Sequence, residues 1–484
     1  MRRRSFVSLA LLALLGASAS VARAQIPAGE YATRRDSVAA RIGDGALVAF
    51  GQREPVTDPF FYQQLAAFKY LTGFDEPDAA FLLVARGARV ERALLYVPAR
   101  AVGLALFLGF LPDSARLAAS LGLGLTTLDH LRPDVDALVA AGVPLNTLLD
   151  WSTRDSQRTD SLTRGRRFLQ LLRDAHPGLA VRELHPLLDS LMVRKSPAEL
   201  ALIRHAASIS IQGQVAAMKV VRPGASEAAA QAEAEYVFRG SGGDGPGYTS
   251  IVGSGPNSTS YHYRANNRVM RSGEVVVMDM AAAYGGYTAD VTRTLPVSGR
   301  FTAEQRAIYQ IVRDAQDAAA RAARPGSPVS RGDSAIRAVE AAGLARLGLI
   351  ESPDAMIDPP WPADCQRRPL PCRQAYLYMA HGPGHGIGLE VHDVGGYSYS
   401  PTGHFQVGEP FTIEPGIYIS TMLLDMLPDT PRNRQFIARV RPVVQRLNNT
   451  GIRIEDDYVV TPTGVEWITR GPREWSEVEA AMRK

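Results

Sequence analysis

The chain has 484 residues, more than one domain usually holds, so two or more hydrophobic cores are expected. Hydrophobic residues make up 46% and charged residues 21%, as in an ordinary soluble globular protein. The formal net charge is +4, but the first 24 residues contain four Arg and no acidic residue, so the remainder is close to neutral. The charge therefore gives no indication of a nucleic-acid partner.

The first 24 residues have the three parts of an export signal. Arg2-Arg3-Arg4 is a positive segment, Val7 to Ala19 is apolar, and Ala22-Arg23-Ala24 fits the sites that signal peptidases cut. A membrane anchor and a buried core helix are the alternatives, but the apolar run is too short for an anchor that spans a bilayer. The paired Arg residues before Ser5-Phe6 favour the twin-arginine route. We therefore expect an exported protein, periplasmic or secreted, whose mature chain begins at Gln25 and is not inserted in the membrane.

Residues 25–190 predict a small α/β unit. Two apolar runs of strand length, at 80–84 and 92–97, are joined by a turn-rich segment. Helical patterns follow at 113–121 and 161–175. Because strands and helices alternate in this way, we expect one sheet covered by helices.

Residues 191–484 predict a second and larger unit. It begins with a helix that Ser196 caps and Pro197 opens, since Pro is favoured at the first helical position. Strands interrupted by glycines follow, and between them lies a helical pair at 302–324 and 330–347.

Two strands that each carry an acidic residue are predicted around a turn at Tyr284-Gly285-Gly286. They cover 274–280 and 287–294. If Tyr284-Gly285 is the centre of the turn, Asp279 and Asp290 lie directly opposite each other, whereas a turn at the two glycines would misalign them. Opposed Cβ atoms are about 4.5–5.5 Å apart, so the two carboxylates would need a cation or a shared proton. Two solvated Asp residues are the alternative.

Three histidines lie within twelve residues of a glycine-rich segment. His381 and His385 have the spacing of helical zinc ligands, but Pro383 and the surrounding glycines argue against a helix. The glycines instead permit the backbone to approach a ligand closely. Together with His392, this clustering indicates a site, although each histidine alone would be a weak signal.

Two further carboxylates are predicted on strands. Glu414 stands at a strand end, before Pro415-Gly416. Arg453 and Glu455 alternate with isoleucines, so they share one face of a strand. For Glu455 the alternative is a structural ion pair with Arg453.

Cys365 and Cys372 are the two cysteines of the chain. In an oxidising compartment they would close a small loop, and two cysteines alone lack the ligands of a metal site. A disulfide is favoured, with free thiols as the alternative.

Taken together, the acidic and imidazole residues resemble the five metal ligands of the M24 metallopeptidases, the family with the pita-bread fold. These residues are Asp279, Asp290, His385, Glu414 and Glu455. The surrounding motifs are similar to those of its aminopeptidase P and prolidase branch: Met278-Asp-Met, Gly286-Tyr-Thr-Ala-Asp-Val-Thr-Arg-Thr, Val391-His-Asp-Val-Gly, Ile413-Glu-Pro-Gly and Ile452-Arg-Ile-Glu-Asp-Asp. Upstream, Tyr70-Leu-Thr-Gly-Phe-Asp-Glu-Pro-Asp is similar to the N-terminal domain of aminopeptidase P. The resemblance implies an α/β (α+β) chain, with an N-terminal α/β domain at 25–190 and a pita-bread catalytic domain at 191–484.

The resemblance also implies two divalent metal ions. Asp290 and Glu455 would bridge them, Asp279 would complete one ion, and His385 with Glu414 would complete the other. A donor set of oxygens with one imidazole favours Mn²⁺, with Co²⁺ or Zn²⁺ as alternatives.

The activity that the resemblance implies is that of an Xaa-Pro aminopeptidase, which hydrolyses the bond between an N-terminal residue and a penultimate proline. Glu414 resembles the residue that shuttles a proton to the leaving nitrogen. His381 and His392 resemble the catalytic histidines that contact the substrate, and His262 resembles a pocket wall. Arg453 would hold the carboxylate side of the site or contact the C-terminal end of the substrate.

The segment 421–449 looks like an insert of eukaryotic-type prolidases, which keeps an Xaa-Pro dipeptidase as the alternative activity. Pro383 replaces the aliphatic residue usual in the family, which predicts a reshaped loop between His381 and His385. A non-catalytic peptide-binding module and a metal-free, creatinase-like hydrolase are disfavoured, because all five ligand residues are present. The family resemblance also implies a homo-oligomer, either a dimer or a tetramer.

Overall fold

The computed structural model describes residues 25–53, 62–99, 113–149 and 162–483, and the structural statements below refer to these residues. The predicted export signal and Ser161 lie outside them. Among the described helices, none is long and apolar enough to cross a membrane.

The first unit is built on a mixed sheet of six strands in the order β4-β3-β2-β1-β5-β6. The strands are β1 (Gly45–Phe50), β2 (Ala80–Arg86), β3 (Arg89–Val97), β4 (Gly124–Thr127), β5 (Leu145–Thr147) and β6 (Val181–Glu183). Every residue of β1 is buried, and alternate residues of this strand enter two separate hydrophobic clusters. Both faces of the sheet are therefore covered, which explains why its central strands are continuous apolar runs.

Helices cover this sheet as the alternation of patterns predicts. They are α1 (Ala28–Ile42), α2 (Ala66–Thr72), α3 (Ser114–Ser120), α4 (Leu131–Ala140), α5 (Arg164–Ala175) and α6 (His185–Met192). Asp113 caps α3, because its side chain accepts a hydrogen bond of 3.0 Å from the backbone N–H of Arg116.

The second unit begins at the predicted helix cap. The hydroxyl of Ser196 accepts the N–H of Glu199, and the carboxylate of Glu199 accepts the N–H of Ser196, so both residues satisfy otherwise unpaired amides. The predicted helical pair is also present as α9 and α10. The helices are α7 (Pro197–Val220), α8 (Glu227–Gly240), α9 (Ala303–Ala322), α10 (Ser330–Arg346), α11 (Thr421–Asp425), α12 (Pro431–Arg446) and α13 (Trp475–Ala481).

Short antiparallel strands form small sheets between these helices. Their orders are β11-β10-β7, β12-β9-β8, β13-β16-β17 and β14-β15. The strands are β7 (Gly245–Pro246), β8 (Ile251–Ser254), β9 (Val275–Asp279), β10 (Ala282–Tyr284), β11 (Tyr287–Thr288), β12 (Thr292–Pro296), β13 (Pro410–Ile413), β14 (Gly416–Ile419), β15 (Thr450–Arg453), β16 (Asp456–Thr461) and β17 (Gly464–Trp467).

The predicted pairing of Asp279 with Asp290 is wrong by two residues. The turn is centred on Gly285-Gly286, and Asp279 pairs with Thr292. Both glycines have positive φ, at 60° and 83°, as a two-residue type I′ turn requires and as Tyr284 would adopt only with strain. A shift of two residues keeps every side chain on its face, so Asp290 is a diagonal neighbour of Asp279.

Two predicted continuous strands are broken beside the acidic residues. The first is interrupted between β11 and β12, around Asp290, and the second between β15 and β16, at Glu455. Across the second break, Glu455 exchanges backbone hydrogen bonds of 3.1 and 3.4 Å with Thr292. These two hydrogen bonds to Thr292 therefore hold the backbone at Glu455, where the chain is not part of a regular strand.

The cysteines lie in the segment between α10 and β13. The predicted disulfide is confirmed, because Cys365 and Cys372 are joined, and Cys372 is completely buried. The carbonyl of Cys372 accepts the N–H of Ile357 at 2.8 Å. This hydrogen bond connects the disulfide loop to the segment that precedes it.

Candidate active site

Three predicted metal ligands from three segments converge in the second unit. Asp290, His385 and Glu455 each offer a ligand atom, and these atoms lie within 4.8 Å of one another. All three side chains are buried. The Nδ1 atom of His385 donates to the carbonyl of Gly386 at 2.9 Å, which leaves Nε2 as the lone-pair nitrogen facing the carboxylates. Nε2 is 3.5 Å from Asp290 Oδ2 and 4.0 Å from Glu455 Oε1.

The other two predicted ligands border this group. Glu414 follows the last residue of β13, as predicted, and its Oε1 lies 3.5 Å from His385 Nε2. Asp279 is buried at the end of β9 and is held by a charged and a neutral donor. Arg453 Nη2 donates to Asp279 Oδ2, and the hydroxyl of Tyr248 donates to Oδ1 at 2.6 Å.

Burial and mutual repulsion dominate the electrostatics of the site. Burial raises the pKa of Asp290 well above its ordinary range, and the charges of Glu455 and Asp279 raise it further. Burial and then the charge of Glu455 raise the pKa of Glu414 in the same way. Burial and the charge of Asp279 raise the pKa of Glu455 to about 8. Asp290, Glu414 and Glu455 are therefore harder to ionise than free carboxylic acids, and a cation held between them would favour their ionised forms.

The site residues fit divalent metal ions. Asp290 Oδ1 is buried and has no hydrogen-bond partner among the described residues, so it is a free ligand atom. Burial, and after it the charge of His392, lower the pKa of His385 to about 3, so its imidazole is neutral, as metal binding requires. Buried carboxylates without a pairing cation are costly, and an ion held between them removes that cost.

The loop that carries His385 is fixed by a buried ion pair. Lys195 Nζ is 3.3 Å from Asp393 Oδ2, with both side chains buried. The Asp393 carboxylate also accepts the backbone N–H of Leu389 at 3.0 Å. A side chain at Gly388 would meet this carboxylate, because a Cβ there would lie 1.9 Å from Oδ2. Glycine at position 388 therefore allows the loop to pack closely against the buried Lys195–Asp393 ion pair.

His381 lies in a chain of hydrogen bonds beside the carboxylates. Its Nδ1 donates to the carbonyl of Gly382 at 2.7 Å, so its Nε2 accepts from the hydroxyl of Tyr418, 3.0 Å away. Arg453 Nη1 donates to the Tyr418 oxygen at 3.1 Å, and the same guanidinium pairs with Asp279. Arg453 therefore contacts a carboxylate of the site, which is one of the two positions predicted for it. Burial and the charge of Arg453 lower the pKa of His381 to about 3.

His262 and His392 are exposed and lie at the edge of the site. The His392 ring is 4.2 Å from the His385 ring, in an edge-to-face arrangement. The charge of His262 contributes to lowering the pKa of His381, His385 and His392, so His262 faces the same cleft. Neither histidine belongs to the group of three ligand atoms.

Sequence reasoning missed three hydroxyl groups in the site, on Tyr248, Thr292 and Tyr418. Thr292 Oγ1 donates to Glu455 Oε2 at 2.6 Å and thereby orients that carboxylate. The one available signal was the alternation that places Thr292 two residues after Asp290 on the same face. The carbonyl of Pro383 accepts the N–H of Glu414 at 3.0 Å, and the reshaping of this loop by Pro383 stays a prediction.

The chain belongs to metallopeptidase family M24, whose model matches residues 201–462. Residues 31–135 match the N-terminal domain of aminopeptidase P. These matches confirm the predicted family branch and the predicted order of an N-terminal α/β domain and a catalytic domain.

Individual relatives agree with this assignment. The Xaa-Pro aminopeptidase of Escherichia coli (strain K12) is 29% identical over 479 residues, which cover 95% of this chain and 98% of that one. The human Xaa-Pro dipeptidase is 34% identical over 322 residues, or 62% of each chain. Among solved structures, zinc-substituted E. coli aminopeptidase P in complex with product has a TM-score of 0.76 and 26% identity, covering 95% of this chain and 100% of that one. Proline aminopeptidase P II from Yersinia pestis has a TM-score of 0.75 and 27% identity, covering 94% and 99%.

Proposed function

We propose that this protein is a metal-dependent Xaa-Pro aminopeptidase, which removes an N-terminal residue that precedes proline. The convergence of Asp290, His385 and Glu455, with Glu414 beside them, carries this proposal. The similarity to an Xaa-Pro aminopeptidase over 95% of the chain supports the same substrate class, because it includes both domains.

The five ligand residues would hold two divalent ions. Asp290, His385 and Glu455 offer ligand atoms within 4.8 Å of one another, and with Asp279 and Glu414 they would hold the ions. Divalent ions in such a pair lower the pKa of a bound water and polarise a substrate carbonyl. Mn²⁺ is the ion we propose first, because hard oxygen donors predominate, with Co²⁺ and Zn²⁺ as alternatives.

The protein residues would position the peptide and move one proton. The leaving nitrogen of proline belongs to a tertiary amide and must gain a proton when the bond breaks. Glu414 is placed to hold and deliver this proton, because its carboxyl borders the ligand group and is partly exposed. The neutral ring of His381 lies beside Glu414, with Nδ1 3.7 Å from its Oε2, and would contact the reacting carbonyl. His262 and His392 would contact the peptide from the open side.

A kinetic panel tests this function. The mature chain is stripped of metal, reloaded with Mn²⁺, Co²⁺ or Zn²⁺, and offered peptides of the form Xaa-Pro-Xaa-Xaa. Matched controls carry alanine at the second position or an acetylated N-terminus. We expect release of the first residue from the Xaa-Pro peptides alone, with none from the metal-free protein. Equal cleavage of the alanine control would contradict the proposal.

An Xaa-Pro dipeptidase is the second candidate. It is favoured by the 34% identity to human Xaa-Pro dipeptidase, although this similarity covers 62% of the chain. The ratio of kcat/KM for an Xaa-Pro dipeptide and an Xaa-Pro tetrapeptide separates the two activities. A strict dipeptidase would leave the tetrapeptide intact.

Export and self-association are further parts of the proposal. The export signal in the first 24 residues and the Cys365–Cys372 disulfide agree with an oxidising compartment outside the cytoplasm. Cell fractionation of the full chain, and of a variant with Arg3→Lys and Arg4→Lys, tests the twin-arginine route. Light scattering tests for the dimer or tetramer that the family resemblance implies.

A further inference from the structure

A buried carboxyl group outside the ligand cluster has no assigned role. Glu340 lies on α10 and is 1% exposed. Its Oε1 atom is buried and has no hydrogen-bond partner among the described residues. A glutamate in this state is costly to bury, and nothing in the sequence motifs explains why it is there.

The neighbouring cation does not neutralise Glu340. Arg337, one helical turn away, directs its Nε to Asp333 Oδ1 at 2.7 Å. Burial raises the pKa of Glu340 to about 8, against the opposing effects of Arg337 and of the backbone N–H of Gly416. Burial therefore favours the neutral acid, and Gly416 is the backbone group that opposes this effect.

Glu340 faces the back of the active site across a cavity of about 10 Å³. A cavity of about this size holds a single water molecule at most. Its other lining residues include His381, Pro383, Pro415 and Gly416. The carboxyl group thus lies between α10 and the two segments that carry His381 and Glu414.

There is no room for a side chain at position 416. A Cβ atom there would lie 2.7 Å from the hydroxyl of Tyr418 and 3.0 Å from Nε2 of His381. Gly416 comes two residues after Glu414, whose own N–H is bonded to Pro383. The corner from Glu414 to Gly416 is therefore held at its beginning by the histidine loop, and its end lines the same cavity as Glu340.

We propose that Glu340 is a positioning residue that accepts the N–H of Gly416 and fixes the corner from which the Glu414 carboxylate enters the site. It acts from behind the site and does not touch the substrate. The inference rests on the proposed function, since it assigns Glu414 the proton transfer.

Two variants of Glu340 separate its hydrogen-bonding role from its volume. Glu340→Gln keeps an acceptor for Gly416 and resembles the neutral acid. Glu340→Met keeps a similar volume but removes the acceptor. We expect Glu340→Gln to retain the wild-type kcat within about twofold, and Glu340→Met to lower kcat by about ten- to a hundredfold, because small misplacements of a catalytic group have effects of this size. KM should change little, since Glu414 acts in the chemical step.

Ile336→Val is the matched packing control. Ile336 is buried on the same helix and lines the same cavity, but it has no polar atom to offer Gly416. This variant should have a lower unfolding midpoint and the wild-type kcat. All rates are measured per metal-loaded molecule, well below the unfolding midpoint of every variant.

Amide hydrogen exchange gives a readout that does not depend on activity. Exchange of a peptide covering 414–419 should become faster in Glu340→Met but not in Glu340→Gln. Failure of the wild type to cleave Xaa-Pro peptides would remove the proposed function and leave this exchange result standing. Wild-type exchange and kcat in Glu340→Met, a kcat loss in Glu340→Gln as large as in Glu340→Met, or an equal loss in Ile336→Val would each overturn the positioning role.

Discussion

Two groups of buried acids lie side by side in the catalytic domain and differ in what neutralises them. The site cluster consists of Asp290, Glu414 and Glu455 with the neutral His385. The ion-pair cluster is built around Asp456, the next residue in the chain after Glu455. Because successive strand residues point to opposite faces, neighbours in sequence belong to different clusters.

The ion-pair cluster is complete within the protein. Asp456 Oδ1 accepts from Arg293 Nη2 at 2.7 Å and from Thr469 Oγ1 at 2.8 Å, while Oδ2 accepts from Gln316 Nε2 at 3.1 Å. Both charged side chains are buried, at 1% and 0% exposure. Every oxygen of this carboxylate has a donor, which is the condition under which a buried charge is tolerated.

The site cluster lacks an equivalent of Arg293. Its closest guanidinium, on Arg453, is paired with Asp279, and Asp290 Oδ1 has no partner among the described residues. The carboxylates of this cluster therefore need protons or added cations. The comparison teaches that the absence of a paired arginine, more than the number of acids, distinguishes Asp290, Glu414 and Glu455 from Asp456. The fifth ligand residue, Asp279, is paired with Arg453.

The largest expected effect comes from alanine in the site cluster. Asp290→Ala or Glu455→Ala should lose metal and lower kcat/KM by about 10⁴-fold or more, because several kcal/mol of transition-state stabilisation depend on the ions. Elemental analysis of the purified variants measures the metal, and the Xaa-Pro assay measures the rate. Metal content and hydrolysis at the wild-type level in either variant would contradict the assignment.

The same substitution in the ion-pair cluster should affect stability instead. Asp456→Ala leaves Arg293 buried without its carboxylate, so the free energy of unfolding should fall by about 3–5 kcal/mol. Urea unfolding of the metal-free proteins measures this change. Asp290→Ala, compared under the same conditions, should show no comparable loss, since it removes an acid that has no internal cation. Equal destabilisation by the two variants would remove the distinction between the clusters.

A smaller effect is expected at the edge of the site cluster. His392→Ala should keep the metal content of the wild type, because His392 is outside the group of ligand atoms. Its kcat/KM should fall by about 10²-fold, the lower end for a residue that assists proton transfer or contacts the reacting group. His404→Ala is the control, since His404 is an exposed histidine bonded to Thr402 in a loop. Loss of metal in His392→Ala would instead make this residue a ligand.

The sequence alone predicted the acids of the site cluster but not the distinction between the clusters. Asp290 and Glu455 stand in family motifs, and Glu414 was correctly placed at a strand end. The pairing of Asp279 was wrong by two residues, because the turn depends on two residues with positive φ. An even shift preserves the face of each side chain, which is why the residues still converge.

The sequence could not predict which carboxylate each arginine would pair with, for a physical reason. Arg293 and Arg453 each lie in a short strand beside an acidic residue, and either arginine is long enough to reach several carboxylates. Their actual partners, Asp456 and Asp279, lie 163 and 174 residues away in the chain. The hydroxyl groups of Tyr248 and Tyr418 were missed because tyrosines are common in buried strands and carry no motif of their own.

The last expected effect is a pH dependence of stability to which the site cluster contributes. The pKa of Glu455 is raised from its ordinary 4.5 to about 8 in the folded, metal-free protein. Between these values the folded state binds a proton that the unfolded state has released, so the contribution of Glu455 to stability is complete below pH 4.5 and is lost as the pH rises towards 8. One carboxyl group changes the free energy of unfolding by at most about 1.4 kcal/mol per pH unit.

Urea unfolding of the chelator-treated wild type and of Glu455→Gln, at intervals from pH 5 to 8, isolates this contribution. The stability of the wild type relative to the variant should fall with rising pH, because glutamine has no proton to release. Added Mn²⁺ should restore the wild type most strongly at pH 8, since an ion then replaces the protons that the cluster has lost. A difference between the two proteins that stays constant or rises with pH would mean that Glu455 is already neutralised from within, as Asp456 is, and the contrast between the two clusters would fail.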